Sequence, residues 1–254
     1  MSDNANGGGC VIVFGASGGI GSAITRVLAL DGMPLALVCN RKRDMAEQLA
    51  AEIGQGASVH RGDVSTPDGA AGIIAEALAT HGRISGLVWA AGPLVQQHFM
   101  GQVSDEEWQR SLDIETSGFF RALRAVLPAM KRNGGGAIVH LGSAGHLRWP
   151  DRDGLSVVPK AANEALVKGI AREEGRHGIR ANSVLVGVID AGMFHELMEQ
   201  GQFPDGWVEE TLKALAIKRW GQAEEVGHAV SWLLSDKSAY VTGQQIAVAG
   251  GYGI

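Results

Sequence analysis

Phe14-Gly15-Ala16-Ser17-Gly18-Gly19-Ile20-Gly21 joins the apolar run Cys10-Val11-Ile12-Val13-Phe14 to a helical pattern over residues 20–31. The run has the length and β-branching of a buried strand. Gly15 permits a tight turn after it, Gly19 lets the backbone approach a pyrophosphate, and Gly21 lets helix and strand pack closely. The helix then offers free N–H groups and a partial positive charge to a phosphate. A glycine triplet alone is a weak signal. Between a strand and a helix, close to the N-terminus, it predicts a dinucleotide-binding loop with Gly15, Ser17, Gly18, Gly19, Ile20 and Gly21 as its residues.

Downstream, short apolar runs alternate with helical patterns. Strands are expected over residues 34–38, 58–61, 84–90, 137–141, 180–185 and 245–248. Helices are expected over residues 43–53, 68–81, 156–177 and 224–234, and residues 105–133 read as a short helix running into a long one that Gly134-Gly135-Gly136 ends. This alternation predicts an α/β fold: a doubly wound parallel sheet of the Rossmann kind, helices on both faces, in one domain over residues 10–254. Residues 1–9 read as a flexible polar tail. Ligands of open α/β sheets lie beyond the carboxyl ends of the strands. The weakly patterned stretch of about residues 187–222 leaves the sixth strand there and reads as a substrate lid.

The chain has 254 residues, 45% of them hydrophobic and 19% charged, enough for a large core without staples. The net charge is −5, and the densest basic cluster is Arg41-Lys42-Arg43, which suits one phosphate rather than a polyanion. No nucleic-acid partner is expected. The two cysteines, Cys10 and Cys39, read as free thiols of a reducing compartment. With no signal-peptide pattern and no membrane-length apolar run, the expectation is a cytoplasmic protein without a membrane or metal partner.

The Gly-x-x-x-Gly-x-Gly spacing resembles the short-chain dehydrogenase/reductase family, and the resemblance covers nearly the whole chain. Asp63-Val64 matches the family's adenine-binding acidic residue, and Ala90-Ala91-Gly92 its Asn-Ala-Gly turn. Ser143 matches the catalytic serine and Lys160 the lysine of Tyr-x-x-x-Lys. Gly187-Val188-Ile189 matches the Pro-Gly-x-x-x-Thr turn, and Arg219-Trp220-Gly221, Glu225 and Val241 to Gly251 match the C-terminal pattern.

The resemblance implies a nicotinamide cofactor held by the loop, Asn40, Arg41, Asp63, Val64, Ala91, Gly92, Lys160 and Val188. The second strand ends in Val38-Cys39-Asn40-Arg41 with no carboxylate to bond a ribose 2′-OH, and Arg41 suits a 2′-phosphate. NADP is therefore favoured over NAD. Gly18, where NADP-dependent members often carry a basic residue, departs from that pattern, and the bland reading is that Arg41 to Arg43 begin a solvated helix.

The family's proton donor is a tyrosine, whose phenol titrates near 10 and is pulled down by the lysine. Here the position four before Lys160 is Ser156, and the family's helix asparagine falls on Glu115. Val186, Ala191 and Trp89 stand where members have proline, threonine and, in many, asparagine. The departures cluster at the nicotinamide end. Ser143, Ser156, Lys160 and Glu115 form the catalytic set, with Glu115 expected to pair with Lys160. Among other candidates, His146 reads as a surface or structural histidine and Asp153 as a helix-start residue. Tyr240 and Tyr252 lie in the C-terminal pattern; a partner subunit's Tyr252 reaching the site is a further reading.

Met193, Phe194, Leu197, Met198, Phe203 and Trp207 of the lid, with His98, Phe99, Leu147 and Trp149, suit an apolar substrate or simply pack the lid or a subunit contact. Residues 105–133 and 156–177 are long enough for the helix-paired dimers or homotetramers usual in the family. The function expected is NAD(P)(H)-dependent oxidation or reduction of a carbonyl/alcohol substrate with an altered proton relay. The alternatives are a catalytically impaired dinucleotide-binding protein, serving as redox sensor or scaffold, and an enzyme using the site for other chemistry, such as double-bond reduction or elimination.

Overall fold

The structure is a computed structural model that describes residues 8–254. Seven parallel strands form one sheet: β1 (Cys10–Phe14), β2 (Leu35–Cys39), β3 (Ser58–Arg61), β4 (Ile84–Trp89), β5 (Gly136–Ser143), β6 (Ile179–Val186) and β7 (Gln245–Val248). Their order is β3-β2-β1-β4-β5-β6-β7. The order reverses between β1 and β4, so a crevice opens at their carboxyl ends, where open α/β sheets hold ligands. The fold is the doubly wound α/β fold expected.

The helices are α1 (Gly19–Leu30), α2 (Arg43–Ile53), α3 (Gly69–His81), α4 (Asp105–Ser111), α5 (Gly118–Arg132), α6 (Gly154–Glu174), α7 (Met193–Glu199), α8 (Trp207–Ala214) and α9 (Ala223–Leu234). β1, β2 and β4 are buried along their whole length, which is why they read as unbroken apolar runs. Ile12, Phe14 and Trp89 face a core shared with Ile73 of α3, Phe119 of α5 and Val167 of α6. Val11, Val13 and Val139 face the other, with Leu28 of α1 and Val230 of α9. Gly227 lets α9 approach α1, since a Cβ there would lie 2.8 Å from Val27 Cγ2.

Four differences from the sequence reading bear on the site. The short helix running into a long one, expected over residues 105–133, is present as α4 and α5, but the junction is a π-helical turn, Leu112–Ser117, which carries Glu115 into the interior. β5 runs on to Ser143, paired with Val186, so Ser143 stands at the strand's carboxyl end. α6 begins at Gly154, two residues earlier than expected, and ends at Glu174 before a short 3-10 turn. The lid, read as weakly patterned, contains two short helices, α7 and α8, whose only buried residue is Leu197.

Of the tail read over residues 1–9, residues 1–7 lie outside the described residues. Gly9 is buried and its carbonyl accepts a hydrogen bond from Ser85 Oγ at 2.9 Å. Cys10 and Cys39 are free and buried, and burial pushes the Cys10 thiol up to about 12. Among the described residues no helix is long and apolar enough to cross a membrane, and no His/Cys/Asp/Glu group could hold a metal ion.

Candidate active site

The phosphate loop closes by backbone contact. Gly15 has φ +80°, and a Cβ there would lie 2.4 Å from Ala90 O. A Cβ on Gly21 would lie 2.1 Å from Gly15 O, so Gly21 keeps the loop closed on itself. Gly19 has a second reason to be glycine: its Cβ would lie 2.5 Å from Gly192 N, where the lid chain crosses the loop. Gly18 and Gly19 are exposed, Ser17 and Ile20 half-buried, and no side chain caps α1. An uncapped helix N-terminus lined by glycine fits a pyrophosphate.

Beyond β2, Arg43 bonds Glu47 at 2.7 Å and Lys42 reaches Glu196 of α7 at 3.5 Å. Arg41 is exposed and, among the described residues, holds no ion pair. Asn40 is exposed, its carbonyl bonded by Arg61. Asp63 Oδ1 accepts from Ser65 N at 2.9 Å and Ser65 Oγ at 2.6 Å. Those bonds hold the Asp63 carboxyl below its usual range, helped by Arg41. Val64 is buried, and its carbonyl accepts from Arg121 at 3.2 Å. Across the crevice the Val188 carbonyl accepts from Gly221 at 3.0 Å.

The turn Ala90-Ala91-Gly92 touches the loop through Ala90 and the lysine through Gly92. A Cβ on Gly92 would lie 2.7 Å from Glu115 Oε2 and 3.8 Å from Lys160 Nζ. Lys160 Nζ is 3.0 Å from Glu115 Oε2. Glu115 is 1% exposed, and its Oε1 accepts from Trp89 Nε1 at 3.2 Å and Asn163 Nδ2 at 3.4 Å.

This pair is the mouth of a larger buried group. His140 of β5, fully buried, lies 3.9 Å from Glu115 through Nε2 and 3.2 Å from Glu164 of α6 through Nδ1. Gln245 of β7 bonds the other Glu164 oxygen at 2.9 Å. Gly142 makes room, since a Cβ there would lie 2.2 Å from Glu164 Oε1. Burial alone would raise the Glu115 and Glu164 carboxyls, yet the cations beside them hold both below the usual value. Burial alone would lower His140, yet the two carboxylates raise it. Two carboxylates thus face Lys160 and a histidine that they draw toward its protonated form, while Asn163 Nδ2 lies 3.2 Å from His140 Nε2. Sequence reading missed His140, Asn163 and Glu164. A lone polar residue in an apolar strand or on a helix was the only signal for each.

At the substrate end, Ser143 is half-buried and its Oγ accepts from Gly145 N at 3.1 Å. Ser156 is half-buried one turn of α6 before Lys160, its hydroxyl unbonded among the described residues. His146 is exposed in a 3-10 turn. Asp153 occupies the N-cap of α6 but makes no capping bond; its Oδ1 accepts from Gln97 Nε2 at 3.3 Å. Tyr252 lies over Arg148, 5.8 Å from ring centroid to guanidinium, within its own chain. Tyr240 is fully exposed.

The lid aromatics pack chiefly on one another. Phe203 stacks on Trp207 at 4.0 Å, and Phe194 meets Trp220 at 5.4 Å. Phe99, Leu147, Trp149 and Met198 are exposed, with the Arg152 guanidinium 4.6 Å above the Phe99 ring. His98 pairs with Glu107 at 3.4 Å.

The chain is similar to known proteins along nearly its whole length. The family model described as enoyl-(acyl carrier protein) reductase matches residues 15–253. The 3-oxoacyl-[acyl-carrier-protein] reductase FabG of Aggregatibacter actinomycetemcomitans is 33% identical over 245 residues, 95% of this chain and 98% of the relative. FabG of a Staphylococcus epidermidis strain is 32% identical over 244 residues, 94% and 97% of the two chains. Levodione reductase superposes with TM-score 0.90 at 28% identity, covering 96% of this chain and 97% of its own. A short-chain type dehydrogenase/reductase from Mycobacterium ulcerans gives 0.89 at 27% identity, covering 96% and 90%.

Proposed function

The chain belongs to the short-chain dehydrogenase/reductase family of oxidoreductases, and from that premise we propose that it interconverts a carbonyl and an alcohol with NADP(H), moving the proton without the family's tyrosine. The supporting observation is the turn Ala90-Ala91-Gly92, which bears on Gly15 at one end and on Glu115 and Lys160 at the other. Phosphate loop and lysine thereby border one crevice.

The loop glycines with Ser17 and Ile20 would hold the pyrophosphate, Asp63 and Val64 the adenine, and Ala91, Gly92, Lys160 and Val188 the ribose and nicotinamide end. Asn40 and Arg41 would hold the 2′-phosphate. Arg43 and Lys42 are spent on Glu47 and Glu196, which leaves Arg41 free for it. When bound, the nicotinamide supplies or accepts the hydride.

Ser143 Oγ orients the substrate oxygen. Ser156 carries a proton between Lys160, water and substrate; an alkyl hydroxyl is too weak an acid to be its source. Glu115 fixes the Lys160 ammonium beside Gly92. Phe99, Leu147 and Trp149 expose enough apolar surface near the mouth for an apolar substrate of moderate size. 3-Oxoacyl groups, named for two of the relatives, are the first class to offer. A second copy of the chain would pack on α5 and α6, where Phe120 is half exposed in an open groove with Thr116, Arg124 and Leu166.

The second reading, a dinucleotide-binding sensor or scaffold without turnover, is favoured by Ser156 and by the neutralisation of Lys160 by Glu115. Calorimetric titration with NADPH, followed by turnover of a 3-oxoacyl thioester, separates the two. Binding with turnover supports the oxidoreductase; binding without turnover of any carbonyl supports the sensor.

A further inference from the structure

Asp153, Ser156 and Lys160 follow one another at spacings of three and four residues, so they continue one face of α6. Asp153 stands at the N-cap, where an aspartate ordinarily accepts a bond from the first turn of its own helix. This one does not. Its carboxyl is held instead by Gln97 Nε2 at 3.3 Å, from the loop after β4, and its backbone forms a bridge with His98 of that loop. The side chain is thus bonded to the loop after β4 and not to its own helix, within electrostatic reach of Lys160.

Resting on the oxidoreductase reading above, we propose that Asp153 gives the proton to the substrate oxygen in place of the family's phenol, with Gln97 as its positioning residue. In reduction the carbonyl carbon gains the hydride and its electron pair. The C=O π pair goes to oxygen, and the O–H bond of Asp153 breaks as its proton passes to the Ser156 hydroxyl, which gives up its own proton to the substrate oxygen. The products are an alcohol and the Asp153 carboxylate, which takes its next proton from water. In oxidation the carboxylate removes the alcohol proton.

The surroundings suit the role. Asp153 is half-buried, and burial pushes its carboxyl up to about 6 against the opposing pull of Gln97 and of Lys160. A donor near the working pH combines protonated population with driving force. The other charged neighbours belong to Tyr252, which faces Arg148, Asp151 and Asp153. Burial and those carboxylates raise its phenol against the pull of Arg148, making Tyr252 a weaker acid than free tyrosine. His146 is exposed in its turn and lies off this helix face.

The test has two arms. In cofactor-free protein labelled with 13C at the aspartate carboxyls, assigned by Asp153→Asn, the Asp153 signal is expected to titrate near 6. A midpoint near the ordinary ~4 overturns the proposal. In the second arm, kcat/KM for reducing acetoacetyl-pantetheine with NADPH is level below about pH 6 and falls tenfold per unit above it, because only the protonated acid donates. Asp153→Asn loses about 10²–10⁴-fold while binding NADPH as before, and Asp153→Glu restores part of the rate with a displaced profile. Wild-type rate and profile in Asp153→Asn overturn the donor and leave the oxidoreductase reading standing. Failure of wild type on every carbonyl offered overturns that reading and the donor with it.

Discussion

On the reading proposed above, the alkyl hydroxyl of Ser156 stands where the family has a phenol, and it is a far weaker acid. The lysine four residues on is present and faces Glu115 at 3.0 Å. Both residues were legible in the sequence, because spacing from the glycine loop fixes where the family's polar residues fall. The Glu164–His140 contact was not, since it joins positions 24 apart that only the packing of α6 on β5 brings within 3.2 Å. Asp153, read as a helix-start residue, does stand at the start of α6, but the partner of its carboxyl was not legible for a similar reason. Its position is that of a cap, and only the placement of Gln97 explains why its carboxyl does not act as one. The cofactor preference also belongs to this scale. Arg41→Ala should cost about tenfold or more in NADPH affinity, the worth of a charge-assisted hydrogen bond, and leave NADH affinity unchanged. Arg41→Glu should then favour NADH, because a carboxylate bonds the ribose 2′-OH and repels a 2′-phosphate. Equal affinities in all three proteins would remove Arg41 from the site.

Elements set the depth of the charged group. A π-helical turn carries Glu115 inward between α4 and α5, and the extra length of β5 places Ser143 at that strand's carboxyl end. Neither was legible: a wide turn does not alter the apolar pattern around it, and strand ends are set by the neighbouring strand. His140 makes a pH prediction. Its folded value is raised above the unfolded one of about 6.5, so its contribution is complete below 6.5 and fades as pH rises through the folded value. His140→Gln should therefore lower the melting temperature more at pH 6 than at pH 9. Glu115 and Glu164 are held low, so their contributions exist above the ordinary carboxylate range and fade as the solution is acidified. Glu164→Gln leaves the imidazolium half-paired and should cost about 3–5 kcal/mol at pH 7 by denaturant unfolding. A loss within error would mean that His140 is neutral. At the start of α9, Arg219 grips Glu225 with bonds of 2.8 and 2.6 Å, and Gln222 N adds a third at 2.8 Å. These hold the Glu225 carboxyl down at about 2. Glu225→Gln should destabilise the protein at pH 7, with the difference from wild type shrinking below pH 4.5 and vanishing near 2. A pH-independent difference would assign the loss to packing.

At the scale of the whole molecule, alternating apolar runs and helical patterns predicted the parallel sheet, and the strand order puts its reversal beside the glycine loop. The lid escaped that reading because α7 and α8 together bury only Leu197 and hold their shape through the stack of Phe203 on Trp207 and the contact of Phe194 with Trp220. Phe194 and Trp220 come from opposite ends of the lid, a contact that no local pattern announces. The paired-helix assembly proposed above rests on the opposite observation, an apolar residue left uncovered: Phe120 on α5 is 49% exposed. Phe120→Glu should shift the protein toward monomer in sedimentation velocity, with cofactor binding retained; a monomeric wild type would refute the paired-helix assembly. The central claim is that a complete nucleotide crevice works here without the phenol. It is tested most directly by following NADPH oxidation against a panel of ketones, aldehydes, quinones and 3-oxoacyl thioesters, with wild type and Ser156→Tyr side by side. The account predicts turnover by the wild-type protein. Turnover by the tyrosine variant alone would contradict it, and would mean that binding geometry survives in a protein that no longer reduces carbonyls.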